Sequence, residues 1–247
     1  PGSFSYLKRQ TTMPRNLIGN FACFGVDKYT AVEDCMFGKP IILIEDHDQE
    51  IFALHFLSNG QGHMLVVGGD EQKRQVIANL FAVSSLHAGG QGIIFYDAYG
   101  KYQKFAEITG AEYMTELNLD ELAAKMDGSI KVIILNSLKP LLDANGHDAF
   151  SDFIEYAGSK RCIVIACEEY ANNCELLLSD FTTTIFHPID EITERFADNY
   201  DIFEDEKVMI QALNPGMLYL RHGYEELTLK FDPSKELQKA LLEGTLE

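Results

Sequence analysis

The chain has 247 residues, of which 46% are hydrophobic, and its 38 acidic and 20 basic residues give a formal net charge of −18. This length and apolar content predict a soluble globule of one large domain or two small ones. No stretch approaches eighteen consecutive apolar residues, which excludes a membrane span within this segment. The negative charge argues against a nucleic-acid partner, because binding to a phosphate backbone depends on lysine and arginine.

The five cysteines are dispersed along the chain, and their number is odd, which favours reduced thiols over a set of disulfides. They contain no CxxC pair and have no histidine at ligand spacing, so no metal site is expected. Residues 1–3 (PGS) are interpreted as a cloning scar, and residues 4–247 as a single domain cut from a longer protein. The cysteines are Cys23, Cys35, Cys162, Cys167 and Cys174.

The first sixty residues predict a small antiparallel sheet made of short strands in FACFGVD, KPIILIE and EIFALHF, with turns between them. The pattern then changes. HMLVVG (63–68) predicts a buried strand, and residues 72–88 carry apolar side chains at the spacing of one helix face.

Strands and helices alternate from there onward. The alternation of Val/Ile/Leu-rich strands with helices predicts a mainly parallel sheet covered on both faces, which binds ligands beyond the carboxyl ends of its strands. YDIFEDE (200–206) is interpreted as a solvated loop or, alternatively, an acidic and aromatic edge for a basic or amphipathic peptide, and residues 235–244 as a packing helix. Strands are predicted at 92–97, 112–117, 131–136, 161–167 and 182–186, helices at 118–126, 149–158, 173–178 and 190–197, and a terminal antiparallel set at 208–213, 216–222 and 226–231.

The stretch MLVVGGDEQKRQ (64–75) has the order strand, glycine turn, helix that a phosphate-binding loop has. Such a loop reads G-x-x-x-x-G-K-[ST], with a lysine for the phosphates and a hydroxyl for magnesium. Aligned on Gly68, with Gly69 beside it, the template places Lys73 at the second glycine, Arg74 at the lysine and Gln75 at the hydroxyl position. These five residues are the candidate nucleotide-binding positions, in degenerate form.

Two carboxylates follow the glycines. Asp70 and Glu71 lie at the predicted helix N-terminus, where the helix dipole favours an anion, so the chain's own side chains are expected to fill the place of a phosphate. The alternative is an ordinary strand-to-helix turn in which Asp70 is only the cap.

A second motif has changed in parallel. In nucleotide hydrolases of this kind an apolar strand ends in acids that hold magnesium and orient water. KVIILNSL is such a strand, but Asn136 and Ser137 stand where the acids would be. Loss at two separate motifs indicates the decay of a nucleotide site, and no catalytic residue is predicted.

The order HMLVVGG, GIIFYD, KVIILNSL, RCIVIACEEY, NPGMLYL resembles the FtsK/SpoIIIE-type RecA-like ATPases over about residues 20–230. VIACEEY stands at the family's ALATQRP-like strand, with Glu168, Glu169 and Tyr170 in place of polar and basic residues. FACFGVD resembles the family's I-P-x-G-x-D lead-in. Within the family the chain most resembles the last, degenerate ATPase-like domain of the EssC/EccC membrane proteins of type VII secretion.

The resemblance implies an α/β fold, a RecA-like P-loop NTPase sandwich with a mainly parallel central sheet and added antiparallel strands at both ends. It implies a module that recognises secreted proteins, regulates the motor or contributes to its assembly, in the cytoplasm beside the membrane and next to other ATPase modules. No cofactor is expected. Residual weak binding of ATP and magnesium, with or without hydrolysis, stays open as the alternative, as does a purely structural spacer.

Overall fold

A computed structural model of the chain describes residues 42–45, 51–54, 62–87, 90–116, 118–174, 177, 180–189, 192–222 and 225–243. For residues 42–45 and 51–54 it describes the backbone. The PGS segment and the FACFGVD stretch lie outside the described residues.

The strands alternate with helices along most of this length, as the sequence predicts. The strands are β1 (Ile42–Glu45), β2 (Ile51–Leu54), β3 (Met64–Val67), β4 (Gly92–Tyr96), β5 (Glu112–Met114), β6 (Lys131–Leu135), β7 (Cys162–Glu168), β8 (Thr183–Phe186), β9 (Met217–His222) and β10 (Glu225–Lys230). The helices are α1 (Glu71–His87), α2 (Gln103–Thr109), α3 (Leu119–Ala124), α4 (Lys139–Asn145), α5 (His147–Ser159), α6 (Glu194–Asn199), α7 (Glu204–Gln211) and α8 (Lys235–Glu243), with a short 3-10 helix at Ala171–Cys174.

The main sheet has eight strands in the order β10-β9-β8-β3-β7-β6-β4-β5. Six neighbouring strands of this sheet pair in parallel: β8, β3, β7, β6, β4 and β5. β9 and β10 are antiparallel additions at one end. β1 and β2 form a separate antiparallel pair. The predicted mainly parallel sheet with antiparallel additions is confirmed.

Helices cover both faces of the sheet because successive strand residues point to opposite sides. In β6, Val132 and Ile134 pack into the cluster that contains side chains of α1, α2 and α8, whereas Ile133 and Leu135 pack into the cluster with α3 to α7. Both clusters are buried, so the parallel strands are apolar on both sides, which explains their continuous Val/Ile/Leu runs.

Several local predictions are confirmed. Asn118 caps α3, accepting the N–H groups of Asp120 and Glu121 at 2.9 and 3.3 Å. The C-terminal segment forms the packing helix α8, whose Leu241 is buried. Cys162, Cys167 and Cys174 are buried and form no disulfide with one another.

The region around α7 differs from the prediction. Residues 208–213, predicted as a strand, lie mostly in α7, and the predicted loop 200–206 includes the first turn of that helix. The physical reason is Glu206, which is buried: its carboxylate accepts the N–H of Phe203 at 2.8 Å and the hydroxyl of Tyr219 at 2.7 Å. These bonds fix the start of α7 and attach it to β9.

Two further boundaries differ. α6 begins at Glu194, with the Thr193 hydroxyl accepting the N–H of Phe196 at 3.2 Å, rather than at residue 190. Of the helix predicted at 173–178, residues 173 and 174 lie in the short 3-10 helix, and residue 177 lies outside any helix. Within the described ranges, no helix has both the length and the apolarity needed to cross a bilayer.

Candidate functional site at the carboxyl edge of the sheet

The carboxyl ends of the parallel strands meet at one edge of the sheet, where ligands bind in open α/β folds. β3 lies between β7 and β8, so Val67 at its end is level with Glu168 and Phe186. Polar side chains gather there and are almost fully buried, with exposures of 0, 2, 3 and 3% for Asp97, Asn136, Glu168 and His187.

The loop after β3 is short and tightly enclosed. Gly68 and Gly69 have φ values of 81° and 66°, the left-handed region that glycine adopts without strain. A Cβ on Gly68 would lie 2.6 Å from Cγ1 of Ile189, and one on Gly69 would lie 2.8 Å from Cγ of His187. Helix α1 begins at Glu71, so only three residues separate strand from helix.

Arg74 lies inside this loop and is 5% exposed. Its Nη1 donates to the carbonyl oxygens of Gly68 at 3.0 Å and Gly69 at 2.5 Å. The two carbonyls therefore point at a cation. Phosphate loops have the opposite polarity, because their backbone N–H groups point at the anion.

Lys73 and Asp70 form the outer part of the same turn. The Asp70 carboxylate accepts the N–H of Lys73 at 2.9 Å and lies 3.1 Å from its ammonium, which makes Asp70 the cap of α1. Burial acts to raise the pKa of the Asp70 carboxyl, but the hydrogen bonds and charge of Lys73 outweigh it, and the pKa is lowered. Asp70 is thus ionised at neutral pH at the positive end of α1.

Glu71 faces the strand β4 side of the edge. Its carboxylate is in contact with the ammonium of Lys101 and accepts the hydroxyl of Tyr102 at 3.2 Å. Burial, together with the charge of Glu71, raises the pKa of Tyr102, so the hydroxyl stays protonated and remains a donor.

Gln75 points away from the loop, into the interior. Its amide donates to Asn79 at 2.6 Å, and Asn79 donates to the carbonyl of Leu241 in α8 at 2.7 Å. Gln75 is 1% exposed. The residue at the predicted magnesium-binding position is therefore bound to Asn79, the residue that connects α1 to α8.

Asp97 and Asn136 join the ends of β4 and β6. Asn136 Nδ2 donates to Asp97 at 2.6 Å, and its Oδ1 accepts the N–H of Ala98 at 2.8 Å. Asp97 also accepts the N–H groups of Tyr99 and Tyr102 at 3.2 and 2.7 Å and, at 2.7 Å, the hydroxyl of Tyr113. The carboxylate is surrounded by four donors. Ser137 follows and is 8% exposed.

Glu168 ends β7 in a similar arrangement. Its carboxylate accepts the N–H of Lys139 at the start of α4 at 3.0 Å, and also those of Glu169 and Tyr170 at 2.9 and 3.4 Å. The Asn173 amide is a fourth donor at 2.9 Å. Glu168 occupies the place at a helix N-terminus that an anionic ligand would use.

His187 closes the edge beyond β8, with its ring against Gly69. Burial lowers the pKa of His187 to about 4, and the charges of Arg74 and Lys73 act in the same direction. The ring is neutral at physiological pH. Its Nε2 is buried without a hydrogen-bond partner within the described residues, as is Nε of Arg74.

The structure brings Gly68, Gly69 and Arg74 together, places Lys73 on the outer surface, and turns Gln75 inward. Asn136 reaches the same edge through Asp97. Sequence reasoning did not select Asp97 or His187. Asp97 could have been found, because it ends the strand GIIFYD and the carboxyl end of that strand lies beside that of KVIILN. No local sequence pattern indicates His187.

No family model matches the sequence, and no curated protein matches it. Solved structures do match the fold. The cytoplasmic domain of EssC superposes with a TM-score of 0.61 at 16% identity, over 87% of this chain and 45% of that one. The chain has the fold of an EssC-type domain.

Two other structures support this assignment. The cytoplasmic domain of the type VII secretion ATPase EccC from Thermomonospora curvata gives a TM-score of 0.57 at 13% identity, over 82% of this chain and 30% of that one. The DNA-packaging ATPase B204 of Sulfolobus turreted icosahedral virus gives 0.54 at 12% identity, over 71% of this chain and 100% of that one. The predicted RecA-like ATPase fold is confirmed, and the chain spans less than half of the EssC and EccC structures.

Proposed function

We propose that the chain is an ATPase-like module of a type VII secretion motor that does not hydrolyse ATP and that acts in substrate recognition, regulation or assembly. The likeness to EssC and EccC supports the motor context. The proposed setting is the cytoplasmic part of a bacterial membrane protein that carries further modules of this kind.

The observation that carries this proposal is the guanidinium of Arg74 at the carbonyls of Gly68 and Gly69. A nucleotide phosphate at this loop would face carbonyl dipoles of the wrong sign. It would also have to displace a buried cation from two hydrogen bonds, and burying that charge elsewhere without partners is costly.

The carboxylates at the carboxyl edge of the sheet also oppose the binding of a phosphate. Asp70 caps α1, Asp97 binds the N–H of Tyr102 before α2, and Glu168 binds the N–H of Lys139 in α4. Each of these three helix starts therefore faces a carboxylate of the chain itself, which repels a phosphate. At the strand tip that would hold magnesium, Asn136 supplies a neutral amide that is already bound to Asp97.

The partners that fit this module are secreted proteins and neighbouring ATPase modules, and nucleic acid does not fit a net charge of −18. The test is a binding titration of the chain with candidate secreted proteins of the same secretion system, with and without ATP and magnesium. Binding that is independent of nucleotide supports substrate recognition. No binding, together with failure of motor assembly when the module is deleted, would instead support a structural spacer.

Residual nucleotide binding is the second candidate. It is favoured by Nε of Arg74, a buried donor that has no hydrogen-bond partner within the described residues and that carries part of a positive charge at the start of α1. Saturable binding of ATP with magnesium that is lost in Arg74→Ala would favour this candidate over the first.

A further inference from the structure

The outer end of the main sheet presents a surface made by β10 and α7, far along the strand order from the loop after β3. Three large apolar side chains of α7 and its cap face solvent, alongside the exposed Glu204 and Asp205: Phe203, Val208 and Met209 are 69, 57 and 46% exposed. Large exposed apolar groups on one element point to an interaction site. We call these residues, together with Glu226, Thr228 and Lys230 of β10, the β10–α7 surface.

β10 is the last strand of the sheet. It pairs with β9 on one side, and within the described residues no strand pairs with its other side. A strand edge of this kind has unpaired N–H and C=O groups and can accept another strand.

The two faces of β10 have different chemistry. Thr228 lies on the face of β10 that is covered by α7, because its hydroxyl contacts Sδ of Met209 at 3.6 Å. Tyr219, which is opposite Thr228 on β9, binds Glu206 of α7 and so lies on the same face. Glu226 and Lys230 share that face by the two-residue period of a strand. Leu227 and Leu229 lie on the other face and pack into the core.

We propose that the β10–α7 surface binds a second copy of this chain by antiparallel pairing of the two β10 strands about a two-fold axis at Thr228. In this register Glu226 of one copy faces Lys230 of the other, and the two-fold axis makes a second such pair. Leu227 faces Leu229, and Thr228 faces itself. Opposite charges, leucine pairs and threonine pairs are the cross-strand neighbours that stabilise a sheet, and a two-fold interface requires this kind of self-complementarity.

The exposed side chains of α7 complete the interface. Met209 contacts Thr228, which lies on the proposed axis, so the pairing brings the Met209 side chains of the two copies together over the seam. The exposed Val208 is the neighbour of Met209 in the chain. A two-stranded seam alone is marginal in water, and this apolar contact gives it the additional burial it needs. The pairing joins two eight-stranded sheets into one.

Sedimentation velocity across micromolar to submillimolar concentrations of the chain tests the proposal. The expected result is a reversible monomer–dimer equilibrium. Lys230→Glu places like charges opposite each other twice and is expected to weaken dimerisation about tenfold. Glu226→Lys has the same effect, whereas an equal mixture of the two variants restores opposite charges at both positions and should restore dimers.

Two further variants test the apolar part and the register. Val208→Asp is expected to weaken dimerisation, while the control Ile108→Asp, at a 63% exposed side chain of α2, leaves it unchanged. Thr228→Cys should give a disulfide-linked dimer on mild oxidation, because it faces itself across the axis, and Lys230→Cys should not. Circular dichroism establishes that each variant is folded.

A wild-type chain that stays monomeric at every concentration would overturn the proposal. A dimer that is insensitive to both Lys230→Glu and Val208→Asp would also overturn it, because both positions are exposed or at a strand edge and neither substitution disturbs the core.

Discussion

Arg74 donates a hydrogen bond of 2.5 Å to the carbonyl oxygen of Gly69, so the loop after β3 holds a cation of the chain itself. In the sequence, Arg74 stands where a phosphate loop has its lysine. In the structure it points back at the loop rather than outward to a ligand. The glycines still have their left-handed conformation, and their role here is to let the loop pass close to His187 and Ile189.

Arg74→Ala should lower the free energy of unfolding by about 2–4 kcal/mol, since two carbonyls lose their donor in a buried place. Urea unfolding measures the change. Lys73→Ala is the matched control on the same turn: the Lys73–Asp70 pair is exposed, so its loss should cost about 0.5 kcal/mol. Equal losses in the two variants would contradict the assigned contacts.

Gly69→Ala should lower the free energy of unfolding by about 2–4 kcal/mol, through the left-handed φ and the overlap with His187. Gly128→Ala is the control. Gly128 has a φ of 86° and open space around it, so only the conformational cost of about 1 kcal/mol applies. Thermal or urea unfolding of both variants gives the comparison, and a smaller loss at Gly69 than at Gly128 would refute the close packing.

Asn136→Asp, the change that would restore an acid at the strand tip, should destabilise the chain at neutral pH by about 2–5 kcal/mol. The new carboxylate would lie at hydrogen-bond distance from Asp97, and two buried carboxylates so close cannot both stay ionised cheaply. The deficit should shrink as the pH falls toward about 4, where the unfolded chain also binds the proton.

The exchange Asp97→Asn with Asn136→Asp restores one amide and one carboxylate. It should recover much of the lost stability at pH 7 in urea unfolding. If the double variant is no more stable than Asn136→Asp alone, the two residues do not act as a pair.

The chain should lose stability between about pH 6.5 and 4 through His187. The pKa of this histidine is about 4 in the folded chain and about 6.5 when unfolded. In this window the unfolded state binds a proton that the folded state excludes. The free energy of unfolding therefore decreases as the pH decreases, by up to about 3 kcal/mol for one histidine.

His187→Gln should flatten that part of the pH dependence, as measured by urea unfolding from pH 7.5 to 4.5. His63 serves as an internal reference, because burial lowers its pKa to about 4 as well and its contribution remains in the variant. An unchanged slope in His187→Gln would show that His187 is not buried in its neutral form.

Local patterns in the sequence were sufficient for most of the fold. The strand KVIIL and the helix that begins after Asn118 follow from apolar periodicity and a capping side chain, which are short-range features. Residues 208–213 were wrongly predicted because a short apolar run fits a strand or a helix equally well. The choice is made by Glu206 and Tyr219, which are thirteen positions apart in the chain.

The site was predictable in location but not in its contacts. Arg74 follows Gly68 and Gly69 by only six and five positions, so these residues could be placed together. The bond between Asp97 and Asn136 joins residues 39 positions apart, and Gln75 reaches α8 through Asn79. Such pairings depend on strand order and helix packing, which no local pattern specifies.

Calorimetric titration of the wild-type chain and of Arg74→Ala with ATP and magnesium measures whether Arg74 closes the loop after β3 to a nucleotide. Because Arg74 itself occupies the loop, we expect no saturable binding to the wild type, and any binding that appears should appear only when Arg74 is removed. Saturable binding to the wild type that disappears in Arg74→Ala would contradict a closed loop and identify Arg74 as a nucleotide ligand.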